Sequence, residues 1–382
     1  MFRQQRPLPR SALLLALIAV TVFLVGCGDI IGSSNWPGLS TDGEQLYIAY
    51  GGGVAAVDVE TRSVNWVFPR DSSPTLQFYA PPAVANGRLI VGDYGASQGL
   101  FSPNLKVSIY ALQNNGQQFP SPLWTADTLA KDRIIAPPLY VNGTVYVGTA
   151  DNSLLALEAD NGALRWRFDT GHSIWAQPVY ADGLLYVASL DKKLYALDEQ
   201  SGTEVWRKEL TGAIVGTPAL SDELVFIGSF DKTLHALDRQ TGAERWTAVA
   251  NDWIWAAPVY ADGSVYFADI DGYVYGYAAD NGQEQWRVTL PGTIQATPVV
   301  YEDLLIILTA DKESALDQGA VIALDRADGS IRWQQSNREP LYATPVVIGE
   351  QLAVAVQSDS AILLFFNIAD GSLIWRLPPI ER

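Results

Sequence analysis

Few side chains in this 382-residue chain have the chemistry of nucleophiles or soft metal ligands. The chain contains one cysteine, Cys27, and two histidines, His172 and His235. A single cysteine excludes an intrachain disulfide, a multi-cysteine metal site and a haem attached through two cysteines. Two isolated histidines do not make a histidine-rich metal centre, and no Ser–His–Asp array or phosphate-binding loop accompanies them. The sequence therefore predicts no catalytic residue, no metal site and no cofactor.

The position of Cys27 gives its thiol another use. Residues 1–10 are basic, and residues 12–25 form an apolar run that is short for a membrane span and typical of a signal-peptide core. The run ends in LVGC at 24–27, which resembles the bacterial lipobox. The resemblance implies a signal peptide at 1–26, a lipid on Cys27 and a lipidated tether at 27–33. The alternative is that the apolar segment stays uncleaved as a membrane anchor and that Cys27 lies after it by chance.

The charge of the chain limits the partners of its folded part. The formal net charge is −17, and residues 1–26 contain three arginines and no acid, so the remainder carries −20. Such an acidic surface argues against nucleic acid and anionic lipid as partners. It favours solubility and is compatible with a basic protein partner.

Aspartates and tryptophans recur at fixed spacing, which indicates a repeat. Asp151, Asp191, Asp231, Asp271 and Asp311 follow one another at intervals of 40 residues. The eight repeat tryptophans are Trp66, Trp124, Trp166, Trp206, Trp246, Trp286, Trp333 and Trp375. Each copy contains four short runs rich in Val, Leu, Tyr and Trp, separated by turns that supply Asp, Asn and Gly. Four antiparallel strands at this period predict an all-β fold, an eight-bladed β-propeller over residues 34–382.

The segment before each tryptophan carries a recognisable pattern. ALDRQTGAERW at 236–246 resembles the PQQ-like repeat Ala-x-Asp-x-x-Thr-Gly-x-x-x-Trp at every fixed position. The first copy has Arg62 in place of the glycine, and the last, FFNIADGSLIW at 365–375, lacks the alanine and the aspartate. We expect the alanine to let the neighbouring blade approach, the glycine to adopt a positive φ, and the tryptophan to lie between blades.

The order of strands predicts which face binds. If the first strand of each blade is innermost, the loops that lead into it share a face with the turns between the second and third strands. The insertions at 95–106 and 311–320 extend those turns, and long loops in a regular array often mark a binding face. The residue three before each first-strand proline is aromatic in four copies, and Trp253 lies two residues before one of them. The candidate partner-binding residues are Tyr79, Trp175, Trp253, Trp255 and Tyr342. Aromatics that simply plug the channel are the alternative.

The repeat and the lipobox together resemble the BamB family, whose members are lipid-anchored propellers of the outer-membrane β-barrel assembly machinery. The resemblance implies a non-catalytic scaffold that docks an envelope protein, anchored outside the cytoplasm, in the outer membrane if the organism has one. A ligand- or glycan-binding sensory propeller is the alternative. A third hypothesis is a quinoprotein dehydrogenase. These enzymes share the repeat, but they typically need a pair of adjacent cysteines and a calcium site, and this chain has only Cys27. The oligomeric state and the partner stay open.

Overall fold

The computed structural model describes residues 37–71, 73, 76–97, 105–114, 119–311 and 318–380. The expected signal peptide, Cys27 and the tether lie outside the described residues, as do residues 98–104 and 312–317 of the two insertions. In the part that is described, no helix is long and apolar enough to cross a membrane.

Each repeat folds into one antiparallel sheet, and the eight sheets are called blades 1 to 8 in chain order. The strands of blades 1 to 4 are Gly38–Thr41, Gln45–Tyr50, Gly53–Asp58 and Ser63–Phe68; Ala83–Ala85, Arg88–Gly92, Ile109–Gln113 and Pro122–Ala126; Leu139–Val141, Thr144–Gly148, Ser153–Glu158 and Leu164–Asp169; Val179–Ala181, Leu184–Ala188, Lys193–Asp198 and Glu204–Glu209. Those of blades 5 to 8 are Ala219–Leu220, Leu224–Gly228, Thr233–Asp238 and Glu244–Val249; Val259–Ala261, Ser264–Ala268, Tyr273–Ala278 and Glu284–Thr289; Val299–Tyr301, Leu304–Asp311, Gln318–Asp325 and Ile331–Asn337; Val346–Ile348, Gln351–Ala355, Leu363–Asn367 and Leu373–Leu377. Ala96–Ser97 and Leu105–Lys106 form a small extra hairpin within the first insertion.

The turns explain why the strands pair locally. Between the first and second strands, Asp182 and Gly183 adopt φ values of 50° and 82°, and Asp262 and Gly263 adopt 48° and 81°. Two successive residues with positive φ form the hairpin turn that matches strand twist, and Asp-Gly is among its preferred sequences. The predicted fold class, an eight-bladed propeller of four-stranded antiparallel blades, is confirmed.

The first strands lie at the centre, because those of neighbouring blades contact one another. Among the described strands, blade 8 closes the ring against blade 1 without exchanging a strand. Side chains of both blades share one apolar cluster, which includes Leu46 and Ile48 of blade 1 and Ala353 and Phe365 of blade 8. Closure therefore depends on packing of apolar side chains rather than on backbone pairing between the two ends of the chain.

Six repeat tryptophans join consecutive blades in the same way. Their indole Nε1–H groups donate to main-chain carbonyls of the next blade at 2.8–3.3 Å. The donors are Trp124, Trp166, Trp206, Trp246, Trp286 and Trp333. Each ring also lies against the glycine of the next blade's last turn, so closely that an added Cβ atom would stand 2.4–2.6 Å from it. Trp66 donates to the side chain of Asn114 in blade 2 at 3.2 Å. The glycine is needed both for its positive φ and for the space it leaves.

The repeat alanine packs in the seam between blades, as Ala196 does in one apolar cluster with Val225 and Ile227 of the next blade. It lies across from the tryptophan of its own blade, as Ala196 does from Trp206, and its small size makes room for that indole. Blade 8 has Phe365 at this position, and Trp375 stacks on it with ring centroids 3.8 Å apart. Trp375 then donates to the side chain of Gln351 in its own blade, so this indole N–H, unlike those of the other seven repeat tryptophans, does not bond to the next blade.

Candidate functional site

One face of the propeller is built from two sets of connections, which we call the loop face. The first set joins the fourth strand of one blade to the first strand of the next, and the second set joins the second and third strands. Backbone hydrogen bonds of 2.7–3.0 Å tie the two sets together, such as Phe230 N to Ala213 O and Ile270 N to Trp253 O. The predicted sharing of one face by these connections is confirmed, and the described residues of both insertions belong to connections of the second set.

The recurring aspartates hold the loops in place. Asp191 accepts a hydrogen bond from the Gly171 backbone at 2.7 Å, and Asp231 accepts two from Thr211. Burial raises the pKa of Asp231, but hydrogen bonds from His235 and Thr211 outweigh it and lower that pKa to about 2. Asp311 ends a strand instead of occupying a turn, because this hairpin is longer than those of the other blades.

The segment before each first strand alternates between the core and the channel mouth. The residue four before the proline is fully buried between blades in Ile134, Ile174, Ile214, Ile254 and Ile294. The next residue, the predicted mouth position, is only half-buried in Ile135, Trp175, Val215, Trp255 and Gln295. An extended chain sends neighbouring side chains to opposite sides. The buried isoleucines therefore fix the backbone that presents the mouth residues.

Trp253 and Trp255 form a three-ring stack with a residue that the sequence analysis missed. The Phe230 ring of blade 5 lies 5.3 Å from the Trp253 ring at an interplanar angle of 17°. It lies equally far from the Trp255 ring, at 29°. Trp253 remains 46% exposed. Phe230 is 23 residues from Trp253, but aligning the turn residues of the repeats would have marked it as one of the two aromatics at that position.

A second aromatic cluster lies at the corresponding place between blades 2 and 3. Tyr79 meets Tyr94 edge-on at 5.3 Å and 87°, and the Arg133 guanidinium lies over the Tyr94 ring at 4.9 Å. Tyr94 occupies the same turn position as Phe230, and Arg133 the same loop position as Trp253. The fold therefore brings this loop residue over the turn residue of the preceding blade at both places.

A buried carboxylate holds the loop that presents the two tryptophans. Asp269, fully buried, accepts hydrogen bonds from the backbone N–H groups of Asn251 at 3.0 Å and Asp252 at 3.1 Å. The Tyr275 hydroxyl donates to the same carboxylate at 2.9 Å and accepts from Asn251 N at 2.8 Å. In blade 2 the equivalent residue is Asp93, and in the other regular blades it is serine or threonine. Each buried aspartate adjoins one aromatic cluster, but at a different place: Asp269 binds the backbone just before Trp253, whereas Asp93 directly precedes Tyr94.

The other two candidate aromatics differ in exposure. Trp175 is half-buried, and its Nε1 atom has no hydrogen-bond acceptor among the described residues. Tyr342 is buried, at 6% exposure. The mouth is therefore not lined by a uniform aromatic ring, and Trp253 is the most exposed member of the predicted set.

The opposite face is held by ion pairs between neighbouring blades. Arg326 of blade 7 binds Asp262 of blade 6 at 2.8 Å, and the Arg239 guanidinium of blade 5 binds Asp182 of blade 4. Each arginine is largely buried, so these pairs serve packing between blades. Among the described residues no group of three or more His, Cys, Asp or Glu side chains is arranged to hold a metal ion.

Solved structures show the same fold at low sequence identity. BamB from Moraxella catarrhalis superposes with a TM-score of 0.62 at 23% identity, over 79% of this chain and 86% of that one. The structure of a computationally designed protein, Ika8, superposes with a TM-score of 0.68 at 15% identity, over 91% of this chain and 98% of that one. A quinohemoprotein alcohol dehydrogenase from Comamonas testosteroni gives 0.69 at 12% identity, over 90% and 75%. At these identities the similarity shows the fold alone.

The sequence itself identifies the family. A comparison with curated proteins gave no match. The family model described as outer membrane protein assembly factor BamB matches residues 52–176, 161–253 and 271–379. These segments include most of the eight blades, and residues 254–270, which include Trp255, lie between the second and third segments. The chain therefore belongs to the family of the outer membrane protein assembly factor BamB.

Proposed function

We propose that this protein is a non-catalytic scaffold of the bacterial envelope that is anchored by a lipid on Cys27 and docks an envelope protein on its loop face, in the manner of BamB in outer-membrane protein assembly. The observation that carries the proposal is the Trp253–Phe230–Trp255 stack, which exposes a large aromatic side chain on a rigid loop. An exposed aromatic on a fixed backbone is typical of interaction surfaces. Membership of the BamB family supports a protein partner and an envelope location.

A pull-down from membranes of the native organism tests the proposal. Trp253→Ala and Trp255→Ala should leave folding largely intact and weaken recovery of the partner severalfold, since each removes part of the stack. Gln200→Ala and Gln240→Ala alter exposed residues of the opposite face and are the matched controls. Unchanged recovery with the aromatic variants, or no captured protein at all, would count against docking on the loop face.

A ligand-binding role is the second candidate, and Trp175 favours it. Its buried indole N–H has no acceptor among the described residues, and such a donor at a channel mouth suits a polar ligand. Tryptophan fluorescence titrated with glycans tests this role. Saturable quenching that is lost in Trp175→Ala would support ligand binding over docking.

The proposal that the protein is not an enzyme rests on the side chains available to hold a cofactor. Quinoprotein dehydrogenases typically hold their quinone with adjacent cysteines and a calcium ion, whereas this chain has one cysteine near its N-terminus. The described residues also offer no cluster of three acidic or histidine ligands, so the residues present do not fit that cofactor. Dye reduction measured after addition of pyrroloquinoline quinone and calcium is the check, and turnover would overturn this part.

A further inference from the structure

We propose that the exposed face of the Trp253 indole binds the guanidinium group of an arginine in the partner protein. The inference rests on the proposed function and gives the chemistry of its contact. Tryptophan is the aromatic side chain that attracts cations most strongly, and arginine is the cation most often found over such rings.

The molecule already contains one example of this contact on the same face. Arg133 lies over Tyr94 at 4.9 Å, at the loop and turn positions that Trp253 and Phe230 occupy between blades 5 and 6. Between blades 5 and 6 the loop residue, Trp253, is itself aromatic, and its ring stacks on the turn residue Phe230. Trp253 is nevertheless 46% exposed, so a cation from outside the chain can reach its ring.

The platform is fixed before any partner arrives. The stack on Phe230 orients the Trp253 ring, and Asp269 and Tyr275 hold the backbone just before it at hydrogen-bond distances of 2.8–3.1 Å. A preorganised ring loses little conformational freedom on binding, which favours affinity.

The surrounding charges favour a cation over a neutral sugar. Asp252 pairs with Lys232 at 3.0 Å, which leaves Asp271 and the acidic remainder of the chain to attract positive charge. Sugars need fixed polar donors beside the ring, but the Asn251 amide already donates to Asp271 at 2.8 Å. The site therefore offers an aromatic plane and negative charge, which suit a planar, weakly hydrated guanidinium better than an ammonium group.

Nuclear magnetic resonance of the purified chain, labelled with ¹⁵N at its tryptophans, tests the inference without any membrane partner. The probes are three Gly/Ser peptides of equal length that carry four arginines, four lysines or four glutamates. The arginine peptide should shift the Trp253 indole resonance, assigned through Trp253→Phe, at concentrations about fivefold lower than the lysine peptide. The glutamate peptide should not shift it. Trp253→Leu should weaken arginine-peptide binding about fivefold, whereas Val249→Ala, at a residue 73% exposed on an outer strand, should not.

The outcomes separate this inference from the proposed function. Equal effects of the arginine and lysine peptides, undiminished binding by Trp253→Leu, or a shift produced by a glycan but not by the arginine peptide would each overturn it. If the membrane pull-down captures a partner whose recovery depends on Trp255 but not on Trp253, docking on the loop face stands and the guanidinium contact fails. If the arginine peptide binds at Trp253 but no partner is captured, the guanidinium contact stands and the scaffold role fails.

Discussion

Gly282 of blade 6 lies so close to the Trp246 indole of blade 5 that a Cβ atom at this position would stand 2.6 Å from the ring atom Cδ2. The same residue has φ +70°. Gly263, in the same blade, has φ +81° with nothing within 4 Å of a built Cβ. The two glycines share the conformational requirement, but only one is also required by packing between blades.

Alanine substitutions at these two positions separate the two requirements. Gly263→Ala should lower the free energy of unfolding by about 1–2 kcal/mol, the cost of a left-handed alanine. Gly282→Ala should cost about 1–3 kcal/mol more, because the added methyl group displaces the Trp246 ring. Urea unfolding at neutral pH measures both. Equal losses would show that the seam accommodates a methyl group and that φ alone demands glycine.

Much of the fold could be predicted from the sequence because its determinants are local. The hairpin turn at Asp182–Gly183 and the 40-residue period are readable along the chain, and the order of strands then decides which connections share a face. Local patterns do not show contacts between blades. Phe230 meets Trp253 only because the fold brings a turn under the loop of the next blade, and the buried Asp269 replaces a serine or threonine at an otherwise ordinary position.

The closing seam shows the same limit. The sequence marks blades 1 and 8 as divergent through Arg62 and Phe365, but it does not say how they pack. The structure shows that the bulk of Phe365 stacks under Trp375 and redirects its N–H to Gln351. A change at the alanine position thus alters which blade the tryptophan binds.

The tryptophans at the seams and on the loop face should differ in their effect on stability. Trp206 is 9% exposed, and its indole N–H donates to the Arg239 carbonyl of the next blade at 3.0 Å. Trp206→Ala should therefore lower the free energy of unfolding by about 3–5 kcal/mol. Trp253→Ala removes an exposed ring from a stack and should cost no more than about 1.5 kcal/mol. Chemical denaturation checks both values, and a Trp253 loss as large as that of Trp206 would assign Trp253 to the core.

Loss of the Asp269 carboxylate should loosen the loop that presents Trp253. Asn in place of Asp269 brings an N–H₂ group toward backbone N–H donors that need an acceptor. This should lower the free energy of unfolding by about 1–3 kcal/mol. Amide hydrogen exchange at Asn251 and Asp252 should accelerate in Asp269→Asn. Asp271→Asn, at a turn acid that accepts from the Asn251 side chain, is the control and should leave exchange of both amides nearly unchanged. Slow exchange in Asp269→Asn would mean that the stack alone holds the loop.

Removal of the Cys27 thiol distinguishes a lipid anchor from an uncleaved one. If Cys27 is lipidated, Cys27→Ser should accumulate either as a larger, uncleaved precursor in the membrane or as a soluble form, and should not incorporate radiolabelled palmitate. Fractionation of the native host with quantitative immunoblotting measures the change. A variant that keeps the wild-type size, the membrane location and the label would contradict lipid attachment at this residue.

Asp93 should make the stability of the protein depend on pH. Asp93 is 1% exposed, and its carboxyl group accepts hydrogen bonds from Gly95 N at 3.0 Å and the Tyr110 hydroxyl at 3.4 Å. Burial raises the pKa of Asp93 to about 6 despite those bonds. The folded protein therefore binds this proton more tightly than the unfolded chain, whose aspartates have a pKa of about 3.9.

The sign of the dependence follows from this difference. The stabilising contribution of protonated Asp93 is complete at low pH and is lost as the pH rises from about 4 through about 6, by at most about 3 kcal/mol. Asp93→Asn does not ionise, so the free energy of unfolding of the wild type minus that of the variant should fall over this range and stay constant above it. Urea unfolding at pH 4, 5, 6 and 7 gives the curve.

Asp238→Asn provides the matched control for this measurement. A side-chain hydrogen bond from Arg245, with one from Thr241, lowers the pKa of Asp238 to about 2, so this carboxylate is ionised in the folded protein at all four pH values. The wild type minus Asp238→Asn difference should therefore change only slightly near pH 4, where the unfolded chain begins to bind a proton, and in the opposite direction. A flat curve for Asp93→Asn would show that the pKa of Asp93 is the same in the folded protein as in the unfolded chain, which would mean that the bonds from Gly95 and Tyr110 compensate for burial.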